Sequence, residues 1–215
     1  MMNKNFITFE GSDGAGKTTA LDRVVATLND SISTPILRTR EPGGDRISEQ
    51  IRNVILNRDN DEIDAKTEAL LYAAARRQHL VMEVLPALAK HQLVFCDRYL
   101  DSSLAYQGGG RQLGVQAVND MNQFATGGLT PGLTIYFDLP VEIGLKRIAD
   151  NRSDDEVNRL DVEEVSFYKR VHETYNQLAL DHPERIVKVD ATQQPDQVYD
   201  AVLTILRDYL NRSDK

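Results

Sequence analysis

The stretch from Gly11 to Thr18 constrains this chain more than any other, because it is a glycine-rich turn between a strand pattern and a helix pattern. It reads GSDGAGKT, follows the apolar run FITF and precedes a helical pattern that opens at Lys17. Glycines let backbone N–H groups curl around phosphate oxygens, and the helix N-terminus adds positive potential. The stretch predicts a nucleotide phosphate-binding loop; the alternative is a glycine-rich turn without a ligand.

Side chains of this loop have separate expected roles. Lys17 places a charge at the outer phosphates, and Thr18 offers a hydroxyl to the Mg²⁺ that accompanies ATP or GTP. The predicted ATP-binding residues are Gly11, Ser12, Asp13, Gly14, Ala15, Gly16, Lys17, Thr18 and Thr19.

Composition narrows the class of protein. The 215 residues are 41% hydrophobic and 27% charged, a length and composition that favour one globular domain with a mobile segment. The net charge of −8 argues against a protein that coats nucleic acid. The single cysteine, Cys96, excludes a disulfide within the chain and gives no sign of a metal cluster. The chain runs from Met1 into the first strand without room for a signal peptide, and no apolar run approaches membrane-spanning length. We expect a cytoplasmic protein.

Hydrophobic periodicity predicts alternating strands and helices. Strand patterns fall at residues 6–9, 35–39, 93–96, 133–137 and 186–189. Helix patterns fall at residues 19–29, 45–55, 65–85, 115–125, 140–149, 165–178 and 195–210. Continuous apolar strands that alternate with helices indicate an α/β fold, with a five-stranded parallel sheet covered by helices on both faces.

Several local features refine this picture. Asp64 is expected to cap the long third helix, and Pro86 to bend or restart it. Asp161 and Glu164 resemble a capping box for the helix that follows. The triple glycine at 108–110 indicates a flexible or tightly turned loop.

Residues 150–160 have no apolar face and are mostly polar or charged. Such a segment is expected to be exposed and mobile. It is therefore a candidate lid that closes over a bound substrate.

Polar residues follow the predicted strands at the edge where α/β sheets bind ligands. Asp97 is placed to help hold Mg²⁺, and Arg98 stands beside it. On the third helix, Tyr72 and Arg76 are four residues apart, so a ring and a guanidinium project from one face. The spacing equally allows Tyr72 to be a core residue and Arg76 its surface neighbour.

Three function classes are compatible with the loop: a small-molecule kinase, a GTPase-like switch, and a motor or DNA-dependent ATPase. The chain has no Asn-Lys-x-Asp stretch to read guanine, and its acidity and size disfavour a motor. A kinase needs an acceptor pocket and a lid. Candidate pocket residues are Arg40, Arg52, Arg76, Arg98, Ser102 and Ser103, and the lid candidate is 150–160.

Several segments together resemble the bacterial thymidylate kinases. They are FEG with the loop, TREPGG at 39–44, DRY at 97–99, DSSLAYQG at 101–108, the stretch 133–147, NRLD at 158–161 and DA at 190–191. The resemblance covers essentially the whole chain. It implies transfer of the γ-phosphoryl group of ATP to dTMP, giving dTDP, with Mg²⁺ and a homodimeric enzyme.

The resemblance also implies roles for individual residues at the acceptor site. Arg52 and Arg98 grip the acceptor phosphate, Tyr72 stacks on thymine, and Arg76 meets a ring carbonyl. Ser103 bonds the pyrimidine edge. The remaining implied contacts are Ser102 and Gln107, which help to exclude a ribose, and Glu41 and Asp13, which lie near the phosphate, sugar and metal. The implied metal ligands are Thr18 and Asp97.

The family's eukaryotic form has an arginine at the position of Gly14. This chain lacks it, so an arginine that stabilises the transition state must come from another segment. Here the lid is expected to supply it through Arg152 or Arg159, of which Arg159 is preferred because it belongs to the NRLD stretch. The implied catalytic set is Lys17, Arg98, Arg159, Arg152 and Asp13. Alternatives are another nucleoside monophosphate kinase, a deoxynucleoside kinase, or a nucleotide-dependent binding protein.

Overall fold

A computed structural model describes residues 2–151 and 159–213 of the chain. Its centre is a parallel sheet of five strands in the order β2-β3-β1-β4-β5, as the sequence predicts. The strands are β1 (Met2–Glu10), β2 (Ile36–Arg40), β3 (Leu93–Asp97), β4 (Thr130–Asp138) and β5 (Ile186–Asp190). Along the central strand, Thr8 pairs with Cys96 on one side and Thr134 on the other.

Helices connect the strands and cover the sheet. They are α1 (Lys17–Asn29), α2 (Arg46–Leu56), α3 (Ala65–His79), α4 (Leu85–Ala89), α5 (Leu100–Ser103), α6 (Val115–Thr126), α7 (Val141–Asn151), α8 (Val165–Asp181) and α9 (Pro195–Ser213). Two π-helical segments, Leu80–Val84 and Leu104–Gly110, and a 3₁₀ helix, Arg159–Val162, complete the described elements. None of the described helices is long and apolar enough to cross a membrane.

Alternate residues of the strands feed two separate cores. On one face, Ile7 and Phe9 pack beneath α1 and α9. On the other, Phe6 and Cys96 belong to a cluster with residues of α8 and the π-helical segments. This alternation places helices on both faces and leaves the carboxyl edge of the sheet open for a site.

The third helix is shorter than its pattern predicts. Asp64 caps it as expected, accepting hydrogen bonds from the backbone N–H groups of Lys66 and Thr67. The α-helix ends at His79, and a π-helical segment precedes α4, whose first turn contains Pro86. The junction residues Leu80, Val84 and Leu85 keep a right-handed helical backbone, so the chain stays helical through a π-helical turn that accommodates the missing N–H of Pro86.

The triple glycine is not a loop but the end of the second π-helical segment. A Cβ on Gly109 would lie 2.0 Å from Thr174 Oγ1, and a Cβ on Gly110 would lie 2.6 Å from Phe167 Cε2. The expectation of a flexible or tightly turned loop was wrong, because these glycines let the segment lie directly against α8.

The capping box predicted before α8 is also wrong. The helix starts at Val165, and its N-cap, Glu164, makes no side-chain capping bond. Of the predicted lid, residues 152–158 lie outside the described residues. Its last two residues, Arg159 and Leu160, are buried rather than exposed, since they pack in the 3₁₀ helix against the rest of the protein.

Candidate active site

The loop between β1 and α1 requires glycine for two reasons. Gly11, Gly14 and Gly16 have φ angles of +138°, +76° and +82°, which disfavour other residues. In addition, a Cβ on Gly14 would lie 2.7 Å from the carbonyl oxygen of Gly144. An arginine at position 14 would therefore require both a strained backbone and a shift of α7.

Lys17 is folded back onto the loop. Its Nζ donates to the carbonyl oxygens of Gly11 at 3.1 Å and Ser12 at 2.9 Å. Burial, with a smaller contribution from Arg98, lowers the pKa of Lys17 to about 8. The lysine is thus a charge held inside the loop, where an anion would restore its ordinary pKa.

Thr18 and Asp97 meet at the start of α1 and the end of β3. The Thr18 hydroxyl donates to Asp97 Oδ2 at 2.6 Å. Hydroxyl and carboxylate oxygens are the hard ligands that Mg²⁺ prefers. The pair therefore suits the metal role that the sequence predicts.

Arg98 connects the phosphate loop with the other half of the site. Its backbone is in the left-handed region, with a φ of +69°, and its backbone N–H donates to the carbonyl oxygen of Phe9 at 2.9 Å. The guanidinium donates to Asp13 Oδ1 at 2.8 Å and to the Ser102 hydroxyl at 3.1 Å. An uncommon backbone conformation kept by specific bonds is typical of a functional residue.

Glu10 fixes the segment that follows Arg98. This fully buried carboxylate accepts from the Tyr99 N–H at 2.7 Å, from the Ser102 hydroxyl at 2.6 Å and from the Tyr175 hydroxyl at 2.9 Å. Burial raises the pKa of Glu10. The motif FEG therefore positions Ser102, and through it Arg98.

A cavity of about 240 Å³ lies between the loop and helices α2 and α3. It brings together all of the predicted acceptor residues. Its lining includes Asp13, Lys17, Thr18, Glu41, Arg52, Tyr72, Arg76, Asp97, Arg98, Ser102, Ser103 and Gln107. We call this space the acceptor cavity.

Guanidinium groups gather at one end of the acceptor cavity. Arg52 donates to Pro42 O at 3.0 Å, and Arg40 pairs with Glu49 at 2.8 Å. Burial and the neighbouring Arg40 lower the pKa of Arg52, and the charge of Arg98 acts in the same direction. Cations that repel one another at a cavity wall are stabilised by a bound anion.

A buried ionic network forms another wall. Arg76 donates to Glu41 Oε2 at 2.7 Å, and His79 Nδ1 lies 3.1 Å from Glu41 Oε1. Arg76 also donates to Ser103 at 3.1 Å, to Asn122 and to the carbonyl oxygen of Tyr99 at 2.9 Å. Periodicity gave no signal for His79 or Asn122, whose partners come from distant parts of the chain.

Tyr72 and Arg76 both line the acceptor cavity, so the spacing argument for a shared face is confirmed. The alternative in which Arg76 is a surface neighbour is wrong, since only 2% of Arg76 is exposed. The ring of Tyr72 is an apolar surface beside a donor group, which suits a planar ligand with polar edges.

Arg159 lies on the acceptor side of the site. Its guanidinium pairs with the buried carboxylate of Glu68, and its Nε donates to Ile55 O at 3.0 Å. In this conformation Arg159 does not line the acceptor cavity, although Leu160 does. Arg152, the other predicted lid arginine, lies outside the described residues.

A second cavity borders the outer side of the phosphate loop. It lies between Gly14–Gly16, Arg23, Arg147 and residues 191–195. Arg147 donates to Gly14 O at 3.3 Å and to Ala191 O at 3.0 Å. No role for Arg147 is predicted from the sequence, although Arg147 lies off the apolar stripe of α7 and the DA pair at 190–191 marks its partner segment.

Comparisons with known proteins agree on one family. The thymidylate kinase family model matches residues 9–202. A thymidylate kinase of Lactiplantibacillus plantarum is 56% identical over 210 residues, covering 98% of this chain and 95% of that protein. One of Pediococcus pentosaceus is 54% identical over 210 residues, covering 98% and 100%. The crystal structure of thymidylate kinase from Ehrlichia chaffeensis is 28% identical, with a TM-score of 0.76 over 94% of this chain and 97% of that one.

The ionic network around Arg76 generates a stability prediction. Arg76→Met leaves Glu41 buried without its guanidinium, so the free energy of unfolding should fall by about 3–5 kcal/mol. Arg77→Met, at the exposed neighbouring position of α3, should change it by less than about 0.5 kcal/mol. Urea unfolding of both variants measures the difference. Equal, small losses would contradict a stabilising role for the network.

Proposed function

This chain belongs to the thymidylate kinase family, and from that premise we propose that its phosphate loop and acceptor cavity together transfer the γ-phosphoryl group of ATP to dTMP, giving dTDP and ADP. One observation supports this assignment most strongly. Residues of the loop, Asp13, Lys17 and Thr18, line the same cavity as Arg52 and Tyr72. A donor phosphate and an acceptor bound there would be neighbours, as phosphoryl transfer requires.

Arg98 and Arg52 grip the acceptor phosphate. Planar guanidinium groups match phosphate geometry, and the crowding of cations at this wall supplies the affinity. Asp13 and Glu41 border the same region, where they orient Arg98 and Arg76 through ion pairs.

The pyrimidine lies between Tyr72 and the polar wall. The Tyr72 ring stacks on the base, Arg76 donates to a ring carbonyl, and Ser103 and Gln107 meet the polar edge. Ser102 acts through Arg98, to which its hydroxyl is hydrogen-bonded. We assign the exclusion of a ribose to Ser102 and Gln107, which both line the acceptor cavity.

The donor ATP occupies the loop. Backbone N–H groups of residues 11–19 cradle its phosphates, Lys17 neutralises the outer ones, and the second cavity beside Arg147 takes the adenine. Thr18 and Asp97 would hold Mg²⁺, which supplies charge neutralisation on the phosphates when bound.

No general base is needed, because a nucleoside monophosphate oxygen is already anionic near neutral pH. Arg98 and Lys17 position the two phosphates and stabilise charge in the transition state. We further propose that the single domain closes residues 150–160 as a lid, from which Arg152 or Arg159 reaches the transferring group. For Arg159, that role requires its pair with Glu68 to open.

We also propose that the enzyme is cytoplasmic and homodimeric. Large apolar side chains are exposed on α2, α3, the adjoining π-helical segment and α6, and an apolar surface of this kind favours a protein partner. The exposed residues on these elements are Ile47, Val54, Leu70, Val81, Met82, Val115 and Phe124, of which Phe124 is 94% exposed. Sedimentation at equilibrium should give twice the mass of the chain; a single-chain mass would contradict the dimer.

Coupled ADP release across a panel of acceptors tests the reaction. With ATP and Mg²⁺, dTMP should give the highest kcat/KM among dTMP, dUMP, UMP, CMP, AMP and thymidine. Thymidine should be inactive, because two arginines that grip a phosphate give a nucleoside no anchor, and a nucleoside hydroxyl would need a base to remove its proton. A preference for another monophosphate would indicate a different nucleotide kinase. Flat ADP production with every acceptor would support a binding protein instead.

The lid arginines are tested by truncation. At least one of Arg152→Ala and Arg159→Ala should lower kcat by about 10³-fold or more, because an arginine that stabilises the charge of the transferring phosphoryl group contributes that much to kcat. Arg58→Ala, an exposed arginine between α2 and α3, should keep wild-type turnover. Steady-state kinetics on folded variants gives the comparison. Near-normal turnover in both lid variants would exclude the lid as the source.

A further inference from the structure

Glu68 is a buried carboxylate just outside the acceptor cavity. It lies in the first turn of α3 and has no exposed surface. Gln107 donates to its Oε1 at 2.9 Å, Arg111 donates to its Oε2 at 3.0 Å, and Arg159 also donates to Oε2. Burial alone would raise the pKa of Glu68, but the hydrogen bonds from Arg111, Arg159 and Gln107 outweigh it and lower the pKa. Glu68 is therefore ionised and accepts hydrogen bonds only.

This arrangement fixes the orientation of the Gln107 amide. An amide group has an NH₂ edge that donates and an oxygen that accepts, and an ionised carboxylate can pair only with the NH₂ edge. Turning the amide over would bring its oxygen against the Glu68 carboxylate inside the protein, where the repulsion is strong. Gln107 Oε1 is left without a donor among the described residues, on a side chain that is 2% exposed and lines the acceptor cavity.

Arg76 contributes the opposite polarity to the same cavity. A guanidinium has donors only, and the bonds to Glu41 and Asn122 hold it in place. The wall therefore presents one fixed donor, from Arg76, and one fixed acceptor, from Gln107. Thymine and uracil carry the complementary pair, a 4-carbonyl oxygen and an N3–H. Cytosine carries the reverse, a 4-amino group and an unprotonated N3.

We propose that Glu68 is a specificity-determining positioning residue: it locks the Gln107 amide so that the acceptor cavity takes 4-keto pyrimidine monophosphates and rejects 4-amino ones. The inference rests on the proposed function, since it assigns the base selectivity of that same site. Glu68 does not touch the substrate and acts through Gln107. Sites that hold polar groups in one fixed orientation reject mismatched ligands strongly, because the buried groups are left unpaired.

Glu68→Gln tests the lock. A neutral amide at position 68 can either donate or accept, so Gln107 becomes free to turn over. The ratio of kcat/KM for dTMP to that for dCMP should fall at least tenfold, while the ratio for dTMP to dUMP should stay within twofold, because both carry the same edge. Effects on Arg159, on the lid or on stability change all three acceptors together and cancel in these ratios.

Matched variants separate the lock from general damage. Glu163→Gln removes the other carboxylate that pairs with Arg111, at 2.6 Å, and has no bond to Gln107, so the dTMP-to-dCMP ratio should be unchanged. In a Gln107→Leu background, adding Glu68→Gln should leave that ratio unchanged. Glu68→Asp keeps the negative charge that pairs with both arginines, but its side chain is one methylene shorter, so the carboxylate lies farther from Gln107. This variant should lower the dTMP-to-dCMP ratio at least threefold, and it replaces Glu68→Gln as the test if Glu68→Gln does not fold.

The outcomes distinguish this inference from the proposed function. If the wild-type protein does not phosphorylate dTMP, the proposed function fails. Suppose that the wild-type protein phosphorylates dTMP. If Glu68→Gln then leaves the dTMP-to-dCMP ratio of kcat/KM unchanged, or lowers it by the same factor in the Gln107→Leu background, the lock is overturned and the kinase assignment stands.

Discussion

The contact between Arg98 and Asp13 joins the two halves of this site. Arg98 stands at the end of β3 with a left-handed backbone, and its guanidinium reaches the phosphate loop 2.8 Å away at Asp13. The parallel sheet makes this possible, because adjacent strands β1 and β3 bring their carboxyl ends to one edge. Glu10 holds the neighbouring Ser102 in place, so the arginine is oriented before any ligand arrives. Such preorganisation lowers the cost of stabilising charge during phosphoryl transfer.

Buried charges define the shape and polarity of the acceptor cavity. Glu41 and Glu68 are nearly or fully buried. The carboxylate of Glu41 pairs with Arg76 and His79 of α3, and that of Glu68 with Gln107, Arg111 and Arg159 from other segments. Glu41 orients Arg76 as a donor, while Glu68 orients Gln107 as an acceptor. Burying ions costs free energy, but a fully hydrogen-bonded network of this kind fixes each of its side chains in one orientation. The cavity can therefore discriminate by hydrogen-bond polarity as well as by size.

Sequence patterns predicted the fold well where burial follows a simple period. The five strands and the parallel sheet follow from apolar runs that end at polar, turn-forming residues, and Asp64 was recognisable as a cap. The pattern failed at Gly108–Gly110, because close packing of glycine against Thr174 and Phe167 depends on a helix some 60 residues away. It failed again before α8, where Asp161 belongs to a 3₁₀ helix and Glu164 is an N-cap without a side-chain capping bond.

Site residues could be predicted from the sequence where they come directly after a strand or lie on the same face of a helix. Asp97, Arg98 and the pair Tyr72 and Arg76 were found in this way. His79 and Asn122 were not, because their importance comes from partners on other elements. Arg159 was expected at the reacting phosphates, whereas the described conformation has it paired with Glu68, a contact that no local pattern encodes.

Phosphoryl transfer at this site depends most directly on the acceptor cavity holding a phosphate opposite the loop. Calorimetric titration of dTMP and thymidine into the wild-type protein and Arg52→Met measures this. Charge-assisted bonds of about 1.5–3 kcal/mol each, one from each of the two arginines, predict that the wild type binds dTMP roughly 100-fold or more tighter than thymidine. In Arg52→Met that advantage should shrink by about tenfold, with thymidine affinity nearly unchanged. Equal affinity for dTMP and thymidine in the wild type, or an advantage that survives the substitution, would contradict the account.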